Sequence, residues 1–325
     1  MLRAGLYLAE RPYRALTSVL LLLFALGAVV HQVWFWSWYI EDAAISFAYA
    51  RNLAWGEGLV PTPGGERLEG YSNPTWVALL ALGELLGFDS FRSSKVLQVL
   101  LVFATVPLTW LLAREASPRD RSGVPLVAAG FLATSTTQAI WGAAGLENAL
   151  FSFLLAAALL RTAIDLRTRS FPWAAFVWML LALTRPEAIL YAAVAGALTM
   201  LFTLERGLAP TLKWLAAFFV PFVAYHAVRF DYFAFEFPQT YYGKMTNKHP
   251  RLLDWDKRGW KYLREWSSTV WTAWWIPLYA LGLTGSRGWR FGVGVVLVVA
   301  LGLRLVFPEV LFKQPFVIGP FEIEL

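Results

Sequence analysis

The chain has 325 residues, of which 58% are hydrophobic and only 15% charged, too apolar for an ordinary soluble domain. Its apolar residues fall in blocks close to the ~20 residues that cross a bilayer, and the alternation of a membrane barrel is absent, so the fold class is all-α and polytopic. The net charge of +6 sits in short arginine-marked loops, which does not point to nucleic acid, and the lack of cysteine excludes disulfides and thiolate metal sites.

Span one is expected from about Ala15 to Trp38. Arg3, Arg11 and Arg14 precede it and orient the N-terminus to the cytoplasm. No small-residue cleavage site follows, so the segment reads as a retained span rather than a signal peptide. Trp34, Trp36, Trp38 and Tyr39 close it as an aromatic belt at the outer interface. Glu41 and Asp42 then stand just outside the outer leaflet. The run from Ala43 to Trp55 lacks Pro and Gly and is ended by Gly56 and Gly58, which predicts a surface helix with Asp42 at its N-cap. Asp42, Ser46 and Tyr49 share one face of that helix. Turn residues then cluster in "GGERLEGYSNPTW".

The apolar stretch Trp76 to Leu86 is about half a membrane thickness and contains Glu84. If it crossed, the clusters Arg114/Arg119/Arg121 and Arg161/Arg167/Arg169 would both lie outside; as an interfacial or re-entrant helix it leaves both inside. A first outer loop over 39–95 follows. Further spans are expected at 95–113, 123–141, 146–163, 171–185, 186–203, 211–229, 267–283 and 290–307, about nine in all, within a single transmembrane domain over 1–325. Residues 230–266 form a second long outer loop.

This topology, built from arginines and lengths, gathers several other polar residues on the outer side. They are Glu41 and Asp42, Glu147 in "GLENALF", Arg185 and Glu187 in "LTRPEAIL", and Lys244 in "FPQTYYGKM". Ionisable groups at membrane depth are costly and usually face a cavity or partner. Each also has a plainer reading: Asp42 as a cap, Glu147 as a complement to a helix dipole, Arg185 with Glu187 as a turn-stabilising pair, and Lys244 as an interfacial anchor. His31, His226 and His249 are too scattered for a metal site, and no P-loop or dinucleotide glycine pattern appears.

The stretches "EDAAISFAYARNLAWGEGLV", "GERLEGYSNPTWVALLAL", "GLENALF", "LTRPEAIL" and "FPQTYYGK" together resemble the motif set of the GT-C glycosyltransferases, and more narrowly the family of cell-wall arabinofuranosyltransferases. The likeness covers about Leu20 to Lys244. It implies a GT-C-like helical bundle and an integral membrane enzyme of cell-wall biogenesis. The donor would be a polyprenyl-phosphate sugar, with arabinofuranose as the sugar of the family, and the acceptor an extracytoplasmic glycan. The site would face outward from the cell (inner or plasma) membrane. Membrane lipid and these substrates are the implied partners, with no nucleic acid.

The family's acidic pair is usually Asp-Asp; here Glu41 comes first and Asp42 matches the catalytic aspartate. Asp42 is therefore the expected general base, with Glu41 beside it to orient the acceptor or tune its neighbour. Lys244 and Arg185 are the cations available to the donor phosphate, and attack opposite that phosphate inverts the anomeric centre. Tyr49, Arg51, Glu69, Tyr71, Asn73, Glu147 and Tyr242 are the expected substrate-binding residues. Asn52 also fits the pattern after the aspartate, whereas Gln239 stands where Asn is usual. No cofactor is required, although Asp42, Glu41 and Glu147 would suit a divalent cation, which some GT-C enzymes use and others do not. Family members are longer, so a short or divergent member is implied. A lipid or solute transporter and a non-catalytic membrane scaffold remain alternatives, since a transporter also needs intramembrane charges and broken helices.

Overall fold

The computed structural model describes residues 2–116 and 123–239 with Tyr242 and Glu265, the side chains from Ala15 onward. Residues 1–244 make one compact unit and 245–325 another; the features below belong to the first. The expected spans at 267–283 and 290–307, and Lys244, lie outside the described residues.

All regular structure among the described residues is helical. Its elements are α1 (Leu2–Val33), α2 (Ala43–Ala54), α3 (Pro74–Leu85), α4 (Ser90–Ala116), α5 (Gly123–Ala133), α6 (Thr136–Gly142), α7 (Asn148–Thr168), α8 (Trp173–Ala182), α9 (Ala188–Thr203) and α10 (Ala209–Phe233). A short 3₁₀ turn, Leu204–Arg206, follows α9. Five of these segments are long and apolar enough to cross a membrane, namely Ala15–Val33, Ser90–Ala116, Asn148–Thr168, Ala188–Arg206 and Ala209–Phe233. A sixth arises if α5 and α6, bent by 51°, count as one broken span. This is the architecture of a multi-pass membrane protein.

The packing has the inside-out character that lipid imposes. Interior positions are small: Ala144, Ala149, Ala158, Ala174, Ala175, Ala182, Ala188 and Ala192 are buried. Leu16, Val19, Leu22, Leu23 and Val30 of α1, and Leu190, Val194 and Leu201 of α9, point outward. Small residues let helix backbones approach where no aqueous hydrophobic effect drives them together. The large core side chains Tyr49, Tyr71, Trp76, Leu80, Trp178, Leu181, Trp214 and Phe218 belong to one cluster.

Side-chain contacts fix which end each helix reaches. At the first end, Gln32 of α1 donates to the Gly142 carbonyl at 2.7 Å, Gln98 of α4 donates to the Leu146 carbonyl at 2.7 Å, and Arg185 reaches Glu147 at 2.9 Å. At the opposite end, Arg167 pairs with Glu115 at 2.6 Å, the Ala174 amide donates to Asp165 at 2.8 Å, and Arg206 lies 3.5 Å from the Leu166 carbonyl. Thus α1, α4, α5–α6, α7, α8, α9 and α10 alternate between the two ends. Helices α2 and α3 both lie in the 34–89 segment that caps the first end, named the loop end. The other is the basic end.

Several boundaries differ from the sequence-based expectation. Span one stops at Val33 and the aromatic run Trp34–Ser37 forms turns, with Phe35 and Trp36 amides bonding back only three residues. Ile40 is drawn instead to the Ala144 carbonyl at 3.0 Å. The expected span 171–185 contains a helix of only ten residues, α8, about 15 Å long and short of a bilayer by itself. Span 123–141 breaks at Thr134–Ser135, where the Ser135 hydroxyl caps α6 by accepting from the Gln138 amide. Helix α4 begins at Ser90, five residues early, because Glu84 accepts from both the Ser90 amide and hydroxyl at 2.6 Å. The half-length helix was expected correctly: α3 has twelve residues, too few to span.

The α3–α4 corner is tight. A Cβ added at Gly83 would collide with the Ser93 side chain, its Cβ only 2.8 Å away, whereas one at Gly27 in α1 meets nothing within 4 Å. Gly83→Ala is therefore expected to lower stability by about 1–3 kcal/mol through overpacking. Gly27→Ala should be neutral or stabilising, because alanine favours helix. Thermal unfolding of both variants in detergent checks the contrast.

Candidate active site at the loop end

Helix α2 is two-faced. Ser46, Tyr49, Ala50 and Asn52 are buried, while Glu41, Asp42 and Arg51 are exposed. Asp42 does occupy the N-cap position, but in helical geometry and with no side-chain capping bond. Neither Glu41 nor Asp42 engages a side-chain hydrogen bond or ion pair among the described residues, so plain capping does not account for the pair.

The buried face holds the loop after α2 in shape. The Tyr49 hydroxyl donates to the Leu68 carbonyl at 2.5 Å and accepts from the Gly70 amide at 2.8 Å. Asn52 donates to the Val60 carbonyl at 2.8 Å. Glu69 forms a buried ion pair with Arg229 of α10, whose Nε and Nη2 approach its two oxygens at 2.5–3.0 Å. Arg229 Nη1 further donates to the carbonyls of Phe235 at 3.2 Å and Glu236 at 2.9 Å. The Gln239 amide donates to the Glu69 carbonyl at 3.1 Å. Through Glu69, the start of "FPQTYYGK" is thus fastened onto "GERLEGYSNP".

Beside this clamp lies a second polar array. Asn73 holds the N-cap position of α3 but makes no capping bond, and its side chain bonds to buried partners instead. Asn73 Nδ2 donates to Glu147 Oε2 at 2.6 Å and to the Ser46 hydroxyl at 3.1 Å. Glu147 Oε1 receives Arg185 Nη1 at 2.9 Å. Arg185 also donates from Nη1 to Asn148 at 3.2 Å and from Nε to Glu187 at 2.5 Å. Its Nη2 has no hydrogen bond among the described residues, and about a third of its side chain, 35%, is exposed. The "GLE" turn reaches α2 directly: Gly145, at φ +84°, packs so closely on Ala43 that a Cβ would come within 3.0 Å of the alanine Cβ. Trp76 holds that turn from the other side, donating to the Gly145 carbonyl at 3.1 Å.

Electrostatics follow the burial. Burial pushes the Glu69 carboxyl up despite the opposing pull of Arg229. It also raises the Tyr49 and Tyr71 hydroxyls, so both stay protonated. For Arg185, burial works against the charge but Glu187 and Glu147 outweigh it, and the guanidinium is held more firmly charged.

The expected site residues therefore separate. Asn73, Glu147 and Arg185 form one array, and Glu69 and Tyr49 shape the adjoining loop. Tyr71 is buried against Tyr49, rings 4.8 Å apart, and is core. Arg51 lies over Trp55 at 5.4 Å on the exposed face. Tyr242 is exposed, its ring 6.1 Å from that of Phe235. Lys244 lies outside the described residues. The cation set of Asp42, Glu41 and Glu147 is not assembled: no cluster of three or more metal-ligating side chains exists among the described residues. Both Glu147 oxygens are already engaged, by Asn73 and Arg185.

Three contributors were not anticipated. Lys95, only 2% exposed, donates its ammonium to the carbonyls of Trp38 and Ala143, tying the segment before Glu41 to the turn before Glu147. Gln98, one turn on, donates to Leu146 and accepts from the Gly145 amide. Arg229 is the third. Their signal was present, since polar residues inside apolar spans seek buried partners. No protein-family model and no curated protein matches the chain.

Proposed function

We propose that the protein is an integral membrane glycosyltransferase of GT-C type. It transfers a sugar, arabinofuranose by the resemblance, from a polyprenyl-phosphate donor to a glycan acceptor outside the cytoplasm. The observation that carries this reading is the array at the loop end. Two unpaired, exposed carboxylates stand next to a buried Asn73–Glu147–Arg185 relay that presents a charged guanidinium with a free edge. The basic clusters Arg114, Arg161, Arg167, Arg169 and Arg206 belong to the opposite end, which supports an extracytoplasmic loop end.

In this mechanism Asp42 accepts the proton of the acceptor hydroxyl. The hydroxyl oxygen forms a bond to the anomeric carbon as the bond from that carbon to the phosphate oxygen breaks. Polyprenyl phosphate departs with the electron pair, and the anomeric centre inverts. Arg185, fixed and kept charged by Glu147 and Glu187, stabilises the developing phosphate charge, joined by Lys244. Glu41 positions the acceptor.

The test is turnover by the purified protein of a panel of radiolabelled polyprenyl-phosphate sugars with oligosaccharide acceptors. Release of polyprenyl phosphate coupled to a longer glycan supports the reading; lipid movement without chemical change points to a transporter, and inertness to a scaffold. Sidedness is tested separately, because the chain has no cysteine. Asp42→Cys should react with a membrane-impermeant maleimide added outside intact cells, and Arg206→Cys should not. The reverse labelling pattern would sink the proposed orientation.

A further inference from the structure

A cavity of about 260 Å³ lies at the basic end, between the end of α7, the start of α8, the end of α9 and the start of α10. It belongs to none of the motifs at the loop end. Arg169, Arg206 and Lys213 come to its wall from three separate segments. Its one carboxylate, Asp165, is already neutralised: Arg161 pairs with it at 2.7 Å, and it accepts from Ser170 at 2.9 Å and from the Ala174 amide at 2.8 Å. The three cations have no carboxylate partner among the described residues. Among the described residues Arg206 has only the 3.5 Å approach to Leu166.

The other wall groups sharpen the chemistry. The hydroxyls of Thr162, Thr199 and Thr203 donate to backbone carbonyls of their own helices, so they cannot donate into the cavity. Donation falls to the cations, at the N-terminal end of α10, whose dipole favours an anion. Trp214, in the same wall, has a buried indole N–H with no hydrogen-bond partner. Arg169 also sits in left-handed backbone at φ +54°, as the residue that ends α7. Glycine or asparagine is the favoured choice at such a position. An arginine there, lining a cavity, is a costly way merely to mark a cytoplasmic loop.

We propose that this cavity binds a phosphate group, either on a phospholipid headgroup of the cytoplasmic leaflet or free in solution. Two guanidiniums and an ammonium around a small cleft suit a tetrahedral oxyanion with two or more charge-bearing oxygens. The site is independent of the proposed transferase reaction and survives its failure.

The test uses the full chain purified in detergent. Native mass spectrometry compares phosphatidylglycerol with diacylglycerol of the same acyl chains, and calorimetry at constant ionic strength measures inorganic phosphate. Wild type should retain phosphatidylglycerol, bind inorganic phosphate, or both. The triple variant Arg169→Gln, Arg206→Gln, Lys213→Gln should lose about tenfold or more of that affinity. Arg169→Lys with Arg206→Lys should keep most of it. Lys213→Gln alone, at an exposed position, provides a variant that folds, with a loss of roughly threefold. Lipid without inorganic phosphate identifies a headgroup site, and the converse a soluble ligand. Equal retention of diacylglycerol, no binding of either probe, or unchanged binding in Lys213→Gln and the triple variant would overturn the proposal.

Discussion

Glu69→Ala is expected to destabilise the protein by about 3–5 kcal/mol, more than any other single substitution at the loop end, because it strands a buried guanidinium. Arg229 is 5% exposed and Glu69 3%, so water cannot take the missing partner's place. The loss spreads further than one pair. Arg229, once unpaired, also holds the carbonyls of Phe235 and Glu236, so the loop after α2 and the chain after α10 loosen together. The double variant Glu69→Leu, Arg229→Met should recover part of the stability, since an apolar pair leaves no charge buried, while the carbonyls of Phe235 and Glu236 still lose their donor. Denaturation in a graded series of detergent and heat would measure both. If Glu69→Ala unfolds like wild type, the clamp is not what holds the two motifs together.

Asp42→Asn is expected to act in the opposite way, with a large loss of transfer and almost none of stability. The side chain is exposed and makes no capping bond, so its amide should cost less than about 0.5 kcal/mol, as at other unengaged surface positions. Loss of a general base removes typically 10²–10⁴ of the rate. Glu41→Gln, one residue earlier, should cost less than Asp42→Asn. The informative comparison is kcat for transfer beside thermal unfolding of the same samples. Unchanged transfer in a folded Asp42→Asn protein would end its assignment as base.

Much of this architecture was legible from apolar periodicity and arginine placement. Helix α2 was expected over Ala43–Trp55 and occupies Ala43–Ala54; the half-length α3 was expected because a crossing there would have put both downstream arginine clusters outside. Among the described residues, the passes between the bundle ends also follow the expected order. What hydropathy could not supply was length in three dimensions. Helix α8 has only ten residues, too few to cross a bilayer by itself, although the apolar block that contains it is span-sized. The break between α5 and α6 depends on a single serine cap, too local a signal for a span-sized window.

The candidate site was half visible. Glu147 and Arg185 were grouped on one face by counting spans, and the structure joins them at 2.9 Å. Asn73 as the bridge could not be read, because its partner lies 74 residues away and its turn composition suggests capping. Tyr49 and Tyr71, expected at the substrate, are instead bound up in loop and core: Tyr49 lies on the buried face of α2 and bonds to Leu68, and Tyr71, in the loop before α3, packs on the Tyr49 ring. Lys95 and Arg229 stood at the ends of the expected spans 95–113 and 211–229, and Gln98 lay inside the first of these, and none of the three was assigned a role. All three prove to hold the segments at the loop end.

The most direct test of the central claim is transfer of radiolabelled arabinofuranose from polyprenyl phosphate to a synthetic arabinan by the purified wild-type protein. The account predicts a product one pentose longer, with the anomeric configuration inverted relative to the donor. Intact donor and unextended acceptor, with folded protein and other lipid-linked sugars equally inert, would contradict it.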